Sequence, residues 1–334
     1  QMAVFLTLVP DGEKQEKAVE TWAGPPGSNK NDRLDFPDFA FASSKGTVDD
    51  AGWFHPNPNL LETLGEEFQI TTVLRRRPDK FTFHTKYKPD YVCIKSSGKD
   101  GDSGSSGSAG GIGSSGSSGG SGSATSAGSS GGNGGQGTAG GNGTDGSPGP
   151  ELALYATFVK TSYYEKLVAV RVSGAIDDFL LFPAEQVLNV HAAGGPGGPG
   201  GNGGAGGRGG SGGSGNPGGR GGNGGNGGNG GNGGNGGAGG HVQLTYDSRF
   251  PELAKLIQIN VSGGSAGSSG PGGSGGSSGS GGSGLGTGSM GSSGTMGTSG
   301  TMGSQGRPGP NGVAKIDAAS TADRFQSFSG VTVL

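Results

Sequence analysis

Apolar residues in this chain come in short alternating runs, separated by long tracts that hold almost none. Val168, Val170 and Val172 stand at every second position, as do Val242, Leu244 and Tyr246. That period places side chains on one face of a strand. Runs at 3–9, 68–74, 81–87, 152–160, 313–317 and 330–334 predict further strands. Three more runs, 92–97, 188–193 and 257–262, end in small residues and lead into the tracts. A short helix is expected near 14–21 or 251–256. Together these elements predict a mainly β chain. Its base is an antiparallel β sandwich or barrel-like assembly, and three long hairpins project from one side of it.

Glycine defines the tracts. Of 83 glycines in 334 residues, 75 lie in 98–149, 194–240 and 263–312, so the rest of the chain has ordinary composition and can build one core. In the first block Gly stands at every third position from 98 to 122, Thr125 interrupts, and the series resumes from 128 to 149. The third block runs from 264 to 282, is interrupted at Leu285, and continues from 288 to 312. The second is a Gly-Gly-X repeat over 194–215 and 218–240, broken at Asn216-Pro217, a turn signal. Each block therefore has two regular arms of 19 to 25 residues with a turn near the middle.

A Gly period of three fits a collagen triple helix or single polyproline-II-type helices packed side by side. Collagen carries roughly 15–20% Pro or more, whereas these arms are filled with Ser, Asn and Thr. A polyproline-II helix makes no internal hydrogen bonds, so its backbone must pair with neighbours, and only an edge of Gly admits another backbone. Gly-X-X arms have one such edge and suit the outside; Gly-Gly-X arms have two and suit the middle. The expected organisation is a β region over 1–97, hairpin 1 over 98–149, base strands over 150–193, a central hairpin 2 over 194–240, base strands over 241–262, hairpin 3 over 263–312 and C-terminal strands over 313–334. The fold class is a β base carrying an antiparallel bundle of six polyglycine-II helices.

The periodic arms and centred turns resemble polyglycine-II bundle proteins, such as the Gly-rich antifreeze proteins of snow fleas and the tip adhesins of some phage long tail fibres. The resemblance covers the 149 block residues and implies architecture. It also implies two functions for such a bundle: receptor binding at the tip loops, as in the adhesins, or ice binding by a flat face of small residues. Here the tips are short and hold no aromatic residue, and Met290, Met296, Met302, Arg208 and Arg220 interrupt the small-residue edges.

Charge and chemistry narrow the classes. No run approaches the ~18 apolar residues of a bilayer span, and a net charge of −3 gives no pull toward nucleic acid. One cysteine, Cys93, excludes an internal disulfide framework. Gln1 in place of Met points to a processed, exported chain. No nucleophile elbow, phosphate loop or zinc-protease pattern occurs, so no enzyme and no cofactor are expected. His191 and His241 flank the central hairpin and are the metal candidates. Asp100-Gly101-Asp102 starts like a calcium loop, but Gly111 stands where its twelfth-position Glu belongs.

Three features point to contacts between copies. Residues 1–67 hold 12 acidic and 5 basic side chains, whereas 68–99 hold 2 and 8, led by Arg75, Arg76 and Arg77; such segregation suits head-to-tail docking. Met290, Met296 and Met302 recur every six residues, two turns of the expected helix, as an apolar stripe. Val4, Leu6 and Leu8 lie on an N-terminal strand that either completes its own sheet or adds to a neighbour's. The expected function is a secreted, non-enzymatic structural protein forming a homo-oligomer or homopolymer, such as a filament or surface layer. The alternatives are an adhesin for a cell-surface receptor and an ice-binding protein.

Overall fold

The computed structural model describes residues 4–9, 14–22, 34–49, 52–57 and 64–334. The described N-terminal residues form small sheets. Strands β1 (Phe5–Leu8), β2 (Lys17–Trp22) and β3 (Leu34–Asp35) pair in that order. β4 (Phe39–Ser43) is followed by the hairpin of β5 (Gly46–Val48) and β6 (Phe54–Pro56). β7 (Phe68–Leu74) then pairs antiparallel with both β4 and β8 (Thr82–Tyr87). Leu6, Val19 and Phe39 form the core here. The helix expected near 14–21 is strand β2 instead. Val19 and Thr21 are both buried, a period of two, and the Thr21 hydroxyl accepts the Val4 amide at 3.0 Å.

The base consists of two further sheets. The first holds β9 (Ser96–Gly98), β13 (Leu188–His191) and β15 (Ile257–Asn260), all parallel. The second runs β12 (Asp178–Pro183), β11 (Leu167–Gly174), β10 (Glu151–Lys160), β14 (His241–Asp247), β16 (Val313–Ala319). β10, β14 and β16 are mutually parallel, while β10–β12 form antiparallel hairpins and β17 (Thr332–Val333) closes onto the end of β10. Among the described residues the one α-helix is a single turn, α1 (Leu253–Leu256), within the expected 251–256. The chain is thus mainly β.

An antiparallel base was expected, and the strands joined to the glycine blocks correct it. Each block leaves from β9, β13 or β15 in one sheet and returns into β10, β14 or β16 in the other. Three outgoing strands therefore share one direction and three returning strands share another. The core lies between these sheets, where Leu154, Phe158, Val170, Val190, Leu244 and Ile257 interlock. β10–β12 are buried on both faces: Val159, Leu167, Phe179 and Leu181 pack on the far side against Leu64, Tyr91 and Phe325. That two-sided burial explains their near-continuous apolar runs.

The glycine blocks continue this plan outward. In the first outgoing arm the amides of Gly101, Gly104, Gly107 and every third residue to Gly122 donate to carbonyls of the second outgoing arm, from Ala193 to Ser214. The second bonds likewise to the third, from Gly194 N–H to Ser262 through Gly215 N–H to Ser283. The returning arms form an equivalent row, with Gly131 bonded to Arg220 and Gly221 to Ser292. Between the rows the bonds are antiparallel, as in Gly132 to Ser117, Gly210 to Gly132, Gly222 to Gly210, Gly279 to Gly222 and Gly297 to Gly276. Six arms thus form two layers of three, parallel within a layer and antiparallel across it. The arms of the second block touch four neighbouring arms each; the outermost two touch two.

The stagger set in the sheets persists in the arms. His191 pairs with Gly98 at the end of the first sheet, and the next bond is from Gly101 N–H to Ala193 O. At the second sheet, His241 pairs with Val313, beside the bond from Gly239 N–H to Pro310 O. The separation between arms is set by glycine. A Cβ added at Gly225 would meet Gly135 O at 1.8 Å, and one at Gly224 would meet Gly276 O at 2.0 Å. Consecutive glycines of the middle arm therefore admit two different neighbours. Gly120 lies off the period, and a Cβ there meets nothing closer than Ser129 Oγ at 3.8 Å.

At the far end of β14, the Asp247 carboxylate is 1% exposed. It accepts Arg249 Nε at 3.0 Å, Arg249 Nη2 at 2.7 Å and Thr157 Oγ1 at 3.1 Å. The hydrogen bonds from Arg249 hold its pKa below the ordinary carboxylate value.

Gly225→Ala should disorder the arms, read as loss of amide protection from residue 200 to 235 in hydrogen exchange, whereas Gly120→Ala should leave protection unchanged. Asp247→Asn should lose about 1–3 kcal/mol of stability at neutral pH, measured by urea unfolding. Because the folded pKa is depressed, the wild-type advantage is complete above the unfolded value of about 3.9. It should shrink as pH falls through the folded value.

Candidate interaction surface

The distal tip is made by the three turns at Thr125, Asn216-Pro217 and Leu285. Ser123 and Ser126 close the first turn by exchanging backbone bonds. The Asn216 side-chain amide donates to Ala124 O at 2.9 Å, and its backbone N–H donates to Ser126 O. Leu285 N–H donates to Gly215 O, and Gly286 follows with φ +60°, where a side chain would be strained. The three turns are therefore tied to one another. Thr125 is exposed and Leu285 half-buried, so the tip presents hydroxyls and one amide with no charged group.

One broad face, formed by the returning arms, carries an asparagine ladder. Asn223, Asn226, Asn229, Asn232 and Asn235 accept the amides of Thr295, Thr298, Thr301, Ser304 and Arg307 at 2.8 to 3.0 Å. Asn133, Asn142 and Asp145 do the same for the amides of Asn223, Asn232 and Asn235. These are amides that the glycine-to-carbonyl bonds leave over, and a side-chain carbonyl one arm away is the acceptor that reaches them. Sequence reasoning assigned these asparagines no role. The available signal was the uniform Gly-Gly-Asn repeat over 221–235, set against the mixed third positions of 194–215.

The outermost returning arm carries the methionines. Met290, Met296 and Met302 are 74%, 71% and 69% exposed, on one ridge of the stack. On the outermost outgoing arm Ile112 is 79% exposed.

The other predicted residues are dispersed. His191 and His241 do not form a pair. Val190 and Val242 point into the core between the sheets, so strand alternation turns the adjacent histidines to opposite outer faces. His191 Nδ1 lies 3.6 Å from Asp100 Oδ2, while Asp100 Oδ1 accepts the Ala193 amide. His241 lies beside a shallow cleft with Glu151, Gln243 and Lys315. Among the described residues no cluster of three or more His, Cys, Asp or Glu side chains is arranged to hold a metal.

Arg75 donates from Nε to the carbonyls of Pro37 and Phe39, and Arg76 reaches Asp38 at 3.3 Å. Arg77 accepts the Lys80 and Phe81 amides at its carbonyl in the β7–β8 turn. Two of the three arginines thus brace the lead-in to β4. Leu6 is buried with Val19 and Phe39, Val4 packs against them, and Leu8 pairs with Lys17, so β1 completes its own sheet.

Near the base, Phe54, Phe68, Tyr87, Tyr91 and Ile94 line a cleft of about 430 Å³. Phe54 and Phe68 meet edge to face at 5.7 Å. Tyr91 is 4% exposed and its hydroxyl has no hydrogen-bond partner among the described residues; burial pushes its pKa up to about 12. Cys93, at the rim, is a free exposed thiol.

Asn226→Ala should speed hydrogen exchange at the Thr298 amide by roughly tenfold, the loss of one bond of about 1.4 kcal/mol, and leave the Gly227 amide unchanged. Site-resolved exchange by NMR checks this. Comparison with family models, with curated proteins and with solved structures found no match to this chain.

Proposed function

We propose that this chain is a secreted, non-enzymatic structural protein that self-associates into a filament or surface layer, its three glycine blocks acting as a stiff rod. On this reading the six arms are polyglycine-II helices, three residues per turn and ~3.1 Å per residue, giving a bundle about 70–75 Å long. The reading is supported by one observation above the others. Backbone amides bond to neighbouring arms at every third residue of the outermost arms and at two of every three residues in the second block, in a stagger continuous with the parallel sheets below. A rod rooted in two sheets at all six of its arms transmits force without a hinge, and a load-bearing or spacing role uses that property. The face of the returning arms repeats Asn at every third position from 223 to 235, a surface suited to repeated contacts between copies.

Electron microscopy of the purified protein across salt and pH tests the proposal. Ordered filaments or sheets are expected; dispersed monomers under every condition would overturn it. A receptor-binding role is the second reading, favoured by the aromatic cleft around Tyr91 and its unpartnered hydroxyl. Retention of the protein on cell-surface glycans or outer-membrane proteins, abolished by Tyr87→Ala, is the result expected from that reading alone.

A further inference from the structure

We propose that the methionine ridge is the contact through which two copies of this chain pair side by side, antiparallel, about a two-fold axis. The proposal rests on the self-association reading and names its first interface.

The ridge positions of the outermost returning arm are Met290, Ser293, Met296, Ser299, Met302 and Gln305. Long and short side chains alternate from Met290 to Met302, and Gln305 ends the row. At ~3.1 Å per residue the methionines stand about 19 Å apart, with a serine about 9 Å from each. An antiparallel second copy can set Met296 against Ser299, Met302 against Ser293 and Met290 against Gln305. Every methionine then faces a shorter or polar side chain, and every contact occurs twice, as an isologous interface requires.

Other features of the arm fit this occupant. No charged residue stands between Gly288 and Gly306, so two identical ridges meet without like-charge repulsion. The ridge is straight and already held, by glycine bonds to the third outgoing arm and by the asparagine ladder to the second returning arm. Little backbone ordering is left to offset on association. Met side chains adapt to a surface of mixed depth. Along the six ridge positions, about 47 Å, a strip about 10 Å wide buries roughly 470 Å² per partner, the size of a weak, concentration-dependent interface. The side chains at this edge also keep a neighbouring backbone from bonding as the internal arms do, so the contact ends at two copies. The opposite edge offers no match, because Ile112 stands alone there with Asp100 and Asp102 at its root.

The test is sedimentation equilibrium of the full chain with three variants. Wild type is expected to dimerise. Met290→Asp/Met296→Asp/Met302→Asp should weaken the dimer by about 100-fold or more, with an unchanged melting temperature showing that the fold is intact. Met290→Leu/Met296→Leu/Met302→Leu should hold the dimer within about threefold. In a Cys93→Ser background, Met296→Cys with Ser299→Cys should give a disulfide-linked dimer on oxidation. Those two positions in one chain, about 9 Å apart, are too distant to bridge each other. If the triple Asp variant still dimerises, or the cysteine pair fails to cross-link, the ridge is not the interface. Filaments that persist in the Asp variant would overturn the ridge and leave self-association standing. A wild-type chain that stays monomeric at high concentration and forms no assembly would overturn both.

Discussion

An extended glycine arm has backbone donors and acceptors that cannot bond within the arm, and burying them unpaired costs more than the arm can recover. The rest of this structure depends on that constraint. Each arm must find carbonyls on a neighbour, and the neighbour must come close enough to leave no room for a Cβ. A Cβ built on Gly225 would stand 1.8 Å from Gly135 O. Glycine is therefore required on every inward edge and unnecessary on outward ones. The repeat type then follows from position. The second block, bonded on four sides, is Gly-Gly-X, and the outer blocks keep side chains on the edges that face water.

Pairing alone leaves the arms free to slide, because one glycine resembles the next. Register needs an anchor, and the base supplies it. Strand pairs such as His191 with Gly98 and His241 with Val313 set the stagger just before the arms begin. Those strands are held by side chains of distinct shape in a packed core, where a slip of one residue would turn apolar side chains outward. The asparagine ladder adds a second check along the returning face, since its amides meet their acceptors only when the arms are aligned. The base specifies, and the arms repeat the specification over a distance that the base could not reach.

Much of the β content was readable along the chain. The runs at 68–74 and 81–87 emerge as β7 and β8 with little shift, because alternation is a local property. The segment at 14–21, one of two places offered for a short helix, is a strand for the opposite reason. Its burial pattern appears only once β1 and β3 lie beside it. The parallel direction of β10, β14 and β16 was not readable either. It depends on routing each hairpin from one sheet to the other, and no local signal carries that. His191 and His241 flank the central hairpin and were expected to meet in space, yet strand alternation on two different sheets sends them apart.

By itself, the sequence determined where backbones could approach, where the chain had to turn, and which runs could form strands. Those are questions of period and of the missing Cβ, and they are settled within a few residues. Only the tertiary structure decided the pairing directions, the stagger, and which side chains were left on the surface. It is there that Arg75 and Arg76 bond to the segment leading into β4, the asparagines become acceptors for a neighbouring arm, and three methionines remain exposed on one ridge. The arginine contacts join residues 36 to 38 positions apart, and the asparagine contacts join residues 72 to 90 apart, relations that no short-range pattern encodes.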